Sequence, residues 1–283
     1  MRVLRGVSRG WMAIVVLMVA GSVSLQAQQA QQAQQVKPFQ PEVGQSGKDV
    51  VWVPTPQALV DKMLDMAKVT PSDFLMDLGS GDGRTVITAA KRGARALGIE
   101  YNPDMVDLSI ANAAKEGVSD RAKFMKADLF ETDFSQATVI TLFLLPDINL
   151  KLRPKILEMK PGTRVVSNSF SMGEWEADET ATVEEGCTSW CTALFWVVPA
   201  KVAGKWRLGN GELTLTQEFQ MLQGSLAMNG KSLLISDARM RGDQITFTAG
   251  GSVYTGRLKA GTMAGTVQTG GSQAAWSAVH ADK

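Results

Sequence analysis

Histidine and cysteine are nearly absent. The 283 residues include one histidine, His280, and two cysteines, Cys187 and Cys191. A two-histidine zinc site is thereby excluded, and a histidine-based hydrolase triad has little to build on. Two cysteines are too few for a four-cysteine metal site or a disulfide-rich scaffold. Charge of one sign is also lacking: 29 lysines and arginines face 28 aspartates and glutamates, a net charge of +1. That balance gives no general electrostatic reason for nucleic-acid binding. No proline follows Pro199. What is present, 45% hydrophobic and 20% charged residues, suits a folded protein of one large domain or two ordinary ones.

Arg2, Arg5 and Arg9 precede an apolar run from Trp11 to Ala20 that trails to Leu25, with small residues around Ser24 to Ala27. Residues 1–27 read as a secretory signal or an uncleaved N-terminal anchor. The expected location is therefore exported, periplasmic or secreted, or else anchored to the inner membrane through this segment. No cysteine lies near the cleavage region and no twin-arginine pair is present, which excludes a lipoprotein anchor and a twin-arginine signal. Residues 28–47, with QAQQAQQ repeats and then Pro38, Pro41, Gly44 and Gly47, read as a flexible Gln/Pro-rich linker.

From 48 to 199 strands and helices alternate. Thr55 is expected to cap a helix that has Pro56 at its first position and Leu59, Val60, Met63, Leu64 and Ala67 on one stripe. Phe74 to Leu78, residues 95–100, Phe124 to Leu129, Thr138 to Leu145 and Thr163 to Ser169 read as strands. Residues 83–93, 104–116 and 147–159 read as helices. Such alternation builds a parallel sheet covered on both faces. Two last strands, near 180–185 and 192–199, lack a helix between them and should form an antiparallel edge hairpin. Residues 200–283 hold 13 of the 27 glycines and recurrent turn pairs such as Asn210-Gly211 and Asn229-Gly230. They read as an antiparallel meander, a small up-and-down barrel of about eight strands.

The segment Asp77-Leu78-Gly79-Ser80-Gly81-Asp82-Gly83-Arg84 follows a strand and opens a helix. Its G-x-G-x-G spacing lacks the third glycine of a dinucleotide fingerprint, and no G-K-S/T of a P-loop is present. Asp77 and Asp82 would repel a phosphate and suit a ligand with a positive group. Glu100, at the next strand tip, can accept two hydrogen bonds from a ribose diol. Asp128, at the third, can accept from an adenine amino group with Leu129 and Phe130 against the ring. Acids at three consecutive strand ends match S-adenosyl-L-methionine, which carries an ammonium and a sulfonium but no phosphate.

With these motifs in place, residues 52–199 resemble the class I, seven-β-strand methyltransferases. Within them the segment is similar to archaeal protein-lysine methyltransferases and to the mitochondrial enzymes acting on ATP synthase c-subunit lysines. The resemblance runs through Val53-Pro54-Thr55-Pro56, DLGSGDGR (77–84), GIEYNP (98–103), 126–149 and KPGTRVVSNSF (160–170). It implies a Rossmann-like sheet and an S-adenosyl-L-methionine-dependent transferase acting on an amine, either a protein lysine or a small molecule, with no nucleic-acid partner. It implies that Asp77, Gly79, Gly81 and Asp82 line the methionine and ribose end, that Glu100 holds the ribose, and that Asp128 and Leu129 hold the adenine. Phe143, Pro146 and Asn149 would border the transferred methyl, while Trp52 and Thr55 close the pocket. Pro146-Asp147 departs from the N/D-P-P-Y/F tetrad of amino-methylating nucleic-acid enzymes.

Asp147 is weighed as a general base and as the cap of the helix that follows it; the cap is preferred. Cys187 and Cys191 flank a tight hairpin turn and read as a disulfide, with two free thiols as the alternative. Trp175, Trp190 and Trp196 are weighed as packing residues and as a recognition cage; packing is preferred. Export and a cofactor made in the cytoplasm are in conflict. An exported, non-catalytic binding protein using this fold or the C-terminal barrel therefore stands as the alternative to the enzyme.

Overall fold

The computed structural model describes residues 39–281. The basic and apolar N-terminal segment and most of the glutamine-rich stretch lie outside the described residues. Among the described residues, no helix is long and apolar enough to cross a membrane.

The first layer is a seven-stranded sheet. Its strands are β1 (Phe74–Leu78), β2 (Arg95–Glu100), β3 (Ala122–Lys126), β4 (Val139–Leu142), β5 (Arg164–Asn168), β6 (Glu179–Thr182) and β7 (Thr192–Val197). They lie in the order β3-β2-β1-β4-β5-β7-β6. The first five are parallel; β7 runs antiparallel to both β5 and β6. The chain order reverses beside β1, so the crevice for a ligand opens at the carboxyl ends of β1 and β4. Alternation along each strand sends side chains to two cores. Leu75, Val139 and Val166 face helices α1 (Gln57–Met66) and α2 (Arg84–Lys91). Met76, Leu78, Ile140 and Leu142 face α4 (Pro146–Leu157) across Ile148, Leu152 and Ile156. Helix α3 (Pro103–Lys115) starts from an Asn102 cap that accepts the Asp104 N–H at 2.9 Å. The stripe predicted on α1 is wholly buried, each large member contributing about 1.5–3 kcal/mol.

Two helix starts differ from expectation. Thr55 does not cap α1: Pro56 is the N-cap, and the Thr55 hydroxyl instead accepts from buried Asn168 at 3.3 Å. Asp147 does not cap α4. It lies in the first turn, after Leu145 and Pro146, where its charge complements the helix dipole.

The second layer is a closed barrel of β8 (Gly204–Leu208), β9 (Gly211–Glu218), β10 (Met221–Met228), β11 (Lys231–Arg241), β12 (Gln244–Ala249), β13 (Ser252–Lys259), β14 (Thr262–Thr269) and β15 (Ser272–His280). Every second residue points inward, as Ile245, Phe247 and Ala249 do along β12. Phe247 stacks on Tyr254 at 4.5 Å, and Trp276 meets both rings edge-on at 5.8 Å. Gly256 makes room for that tryptophan, because a Cβ there would lie 2.7 Å from its ring. The barrel is joined to the sheet by Arg239 on Asp178, Arg241 on Glu179, and Phe219 stacked on Trp175.

Candidate functional site

A cavity of about 420 Å³ opens at the carboxyl ends of β1, β2 and β4. That is within the usual range for a small-molecule site. Its floor is the turn from Gly79 to Gly83. The turn requires positive φ at Gly79 (+82°) and Gly81 (+54°), a conformation that a Cβ disfavours. Space is equally restrictive. A Cβ on Gly81 would come within 2.6 Å of Trp52 Nε1, and one on Gly79 within 3.0 Å of a Leu144 methyl. Two residues of α3 lock the turn: Ser109 donates to the Gly81 carbonyl at 2.8 Å and Asn112 to the Asp82 carbonyl at 3.0 Å.

Asp77, Glu100 and Asp128 all line this one cavity. Asp77 is buried, and its register partner on β4, Thr141, donates to it at 2.7 Å. Burial pushes the Asp77 carboxyl up to about 7; the Thr141 bond opposes the shift, and the nearby charges of Glu100 and Asp82 add to it. Glu100 accepts the Gly81 N–H at 3.0 Å and the Asn102 N–H at 2.9 Å, tying the tip of β2 to the glycine turn. Asp128 lies two residues beyond β3, in a turn rather than in the expected strand. There it accepts the Phe130 N–H at 2.9 Å and pairs with Lys48. The Lys48 ammonium first, and then the Phe130 N–H, hold its carboxyl below the ordinary carboxylate range.

Of the other predicted residues, Trp52, Thr55, Gly79, Gly81, Asp82, Leu129 and Phe143 also line the cavity. The Asp82 carboxylate is taken up by Arg84, whose other arm donates to the Thr55 carbonyl at 2.8 Å. Pro146 and Asn149 are not in the wall. Pro146 is the exposed first residue of α4. Asn149 is fully buried behind it and donates to the carbonyls of Phe170 and Ser171, each at 3.2 Å. Its effect on the cavity runs through Phe170, which does line it.

Sequence reasoning missed three parts of the wall. One is the segment Gln45–Val51, whose first three residues fall in the expected linker; it belongs to a turn held by Gly44 N–H to the Trp52 carbonyl at 2.8 Å and lines the cavity. Another is Phe170. The third is Trp190, expected to pack: Trp175 and Trp196 are buried, but Trp190 is 46% exposed at the cavity mouth. Cys187 and Cys191 are joined as a disulfide around it. Among the described residues, none from the barrel lines the cavity.

The residues present fit an adenosyl sulfonium ligand. Cβ-free floor positions admit close backbone approach. Among the described residues, the wall carries Asp49, Asp77, Asp82, Glu100 and Asp128 against only Lys48 and Arg84. Each of those cations is paired with a wall carboxylate. The fold and this site define a class I S-adenosyl-L-methionine-dependent methyltransferase.

Comparison with known proteins agrees. Residues 77–179 match the ANTKMT methyltransferase domain family. The chain is 47% identical over 140 residues to a protein-lysine N-methyltransferase of Saccharolobus islandicus (strain REY15A), across 48% of this chain and 87% of that protein. It is 37% identical over 128 residues to the Homo sapiens lysine N-methyltransferase named for the ATP synthase c-subunit, across 45% of this chain and 54% of that protein. A crystal structure described as an RNA methyltransferase from Salinibacter ruber, in complex with S-adenosyl-L-homocysteine, shares 49% identity. It has a TM-score of 0.50 and covers 53% of this chain and 96% of its own. The chain belongs to the methyltransferase family of the Saccharolobus enzyme.

Proposed function

We propose that this chain transfers a methyl group to the ε-amine of a lysine in a protein partner. The observation that carries this reading is the charge of the cavity wall. Among the described residues it has five carboxylates, and neither of its two cations lacks a carboxylate partner. An ammonium-bearing side chain is drawn to a cavity with such a wall, whereas an RNA backbone is repelled by it. The names of the Saccharolobus and human relatives support the same acceptor; the description of the Salinibacter structure supports RNA.

Bound S-adenosyl-L-methionine supplies a methyl group already activated on a sulfonium. In this reading Glu100 holds the ribose hydroxyls and Asp128 with Leu129 the adenine. Asp77 and the turn Gly79–Gly81 receive the amino-acid end. Trp52 and Thr55 close the pocket from above. Positioning in a water-poor crevice is the main lever for such a displacement. A lysine, with a reference pKa of about 10.4, has to become neutral before its nitrogen attacks the methyl. Its proton leaves to water, so no side chain is assigned as a base. The Cys187–Cys191 bridge is of the kind that oxidising compartments sustain, which supports the export reading of residues 1–27.

Incubation of the purified chain with S-adenosyl-L-methionine and either protein or RNA extracts tests the acceptor. Lysine residues carrying +14 Da are expected by mass spectrometry. Methyl label entering RNA alone would overturn the assignment.

A further inference from the structure

Three aromatic rings from separate parts of the chain meet at the cavity mouth. Phe143 follows β4, Phe170 follows β5, and Trp190 lies in the loop between β6 and β7. The Phe143 and Phe170 centroids are 6.0 Å apart, Phe143 and Trp190 6.1 Å, and Phe170 and Trp190 5.2 Å. An aromatic ring face attracts a positive charge within about 6 Å of its centroid, and all three rings line the cavity.

The rings are held in place from behind. Asn149, buried and out of the cavity, fixes the Phe170 carbonyl. Trp190 sits at φ +59°, a backbone state rare for a bulky residue, inside the five-residue ring closed by Cys187 and Cys191. A large aromatic 46% exposed is costly to leave in water, and this one belongs to a loop of otherwise small or charged residues, Glu184 to Ser189. Trp175 and Trp196 are fully buried, so of the three tryptophans from this part of the chain only Trp190 reaches solvent.

We propose that Phe143, Phe170 and Trp190 form a seat for the alkylammonium group of the methyl acceptor, and that the Cys187–Cys191 bridge keeps Trp190 in that seat. The inference rests on the reading that the acceptor is an amine. It adds the residues that select it. The seat needs no N–H donor from its ligand, so it accepts a quaternary ammonium as well as a primary one.

Choline and its neutral carbon isostere 3,3-dimethylbutan-1-ol separate cation recognition from apolar contact. Both are titrated into the full chain saturated with S-adenosyl-L-homocysteine, following the backbone amide signals of residues 143, 144 and 170 by NMR. Choline is expected to bind about tenfold more tightly than the isostere. Trp190→Leu and the double change Cys187→Ser with Cys191→Ser should each erase that preference, and Trp190→Tyr should keep it. S-adenosyl-L-homocysteine affinity, read by calorimetry, should stay within about twofold in all of them, since none touches the acidic end. Equal binding of the two probes, or an unchanged preference in Trp190→Leu, overturns the seat. An unchanged preference in the serine pair overturns the part given to the bridge. Choline selectivity without methylation of any lysine would remove the lysine reading and leave the seat standing. Lysine methylation without choline selectivity would do the reverse.

Discussion

The Thr141 hydroxyl donates a 2.7 Å hydrogen bond to the Asp77 carboxylate, and both side chains are shut away from solvent between β1 and β4. Burial raises the Asp77 carboxyl to about 7, against an ordinary value of 3.8. The folded chain therefore holds a proton there that the unfolded chain has lost. Stability from this site is complete below about pH 4 and declines as pH rises towards 7. Thermal melts of the ligand-free chain between pH 5 and 8 should fall with pH, and Asp77→Asn should flatten that slope. A slope unaltered by Asp77→Asn would place the titration elsewhere.

Gly81 and Trp52 leave each other no spare room. Gly81→Ala puts a methyl 2.6 Å from the indole nitrogen at a φ of +54°. Binding of S-adenosyl-L-homocysteine should weaken at least about tenfold, with about 1 kcal/mol of the cost coming from backbone strain alone. In a Trp52→Ala background the same change should cost less, because the clash is gone. A double-mutant cycle measured by calorimetry checks the coupling, and strict additivity would refute it.

Lys48 competes for the Asp128 carboxylate that is assigned to the adenine. Its ammonium also lies 4.9 Å from the Tyr101 ring centroid, so the segment bearing it is fastened at two points. Lys48→Ala should tighten S-adenosyl-L-homocysteine binding by roughly threefold, whereas Asp128→Ala should weaken it by roughly tenfold or more. Weaker binding in Lys48→Ala would show that the lysine serves the ligand rather than opposing it.

Two arginines join the barrel to the sheet with unequal weight. The Asp178 side chain is fully shielded, accepts the Val197 N–H at 2.8 Å, and depends on Arg239 for its charge partner. Arg239→Ala should cost on the order of 2–3 kcal/mol by stranding that carboxylate. Arg241 and Glu179 are each about half exposed, and Arg241→Ala should cost under about 1 kcal/mol. Urea unfolding curves of the two variants give the comparison; equal losses would contradict it.

The first two strands are legible in the sequence because they are short runs, largely apolar, that end beside glycine or in an acid. Phe74 to Leu78 and residues 95–100 match the observed β1 and β2. The barrel is legible from glycine turns at regular spacing. Strand ends followed by turns are overrun. The apolar pattern puts Asp128 on a strand, but its carboxylate bonds to the Phe130 N–H two residues on, a turn contact that periodicity does not register. Pro146 and Asn149 look like wall residues because they neighbour Phe143 in sequence. The helix that begins at Pro146 carries one into solvent and the other into the core. Trp190 escapes for the opposite reason. Its partners lie 20 and 47 residues away, and only the return of β7 beside β5 brings them together.

Strand β15 alone links β14 to β8, and it meets β8 at its very end, Val279 with Arg207 and His280 with Trp206, followed by the Ala281 N–H on the Lys205 carbonyl at 2.7 Å. The seven strands of the sheet are all encoded upstream of residue 198. The sheet therefore needs no strand from the barrel, whereas the barrel stays an open ribbon until Val279 and His280 pair with β8. Loss of the last few residues of β15 would open the barrel and leave every strand of the sheet in place.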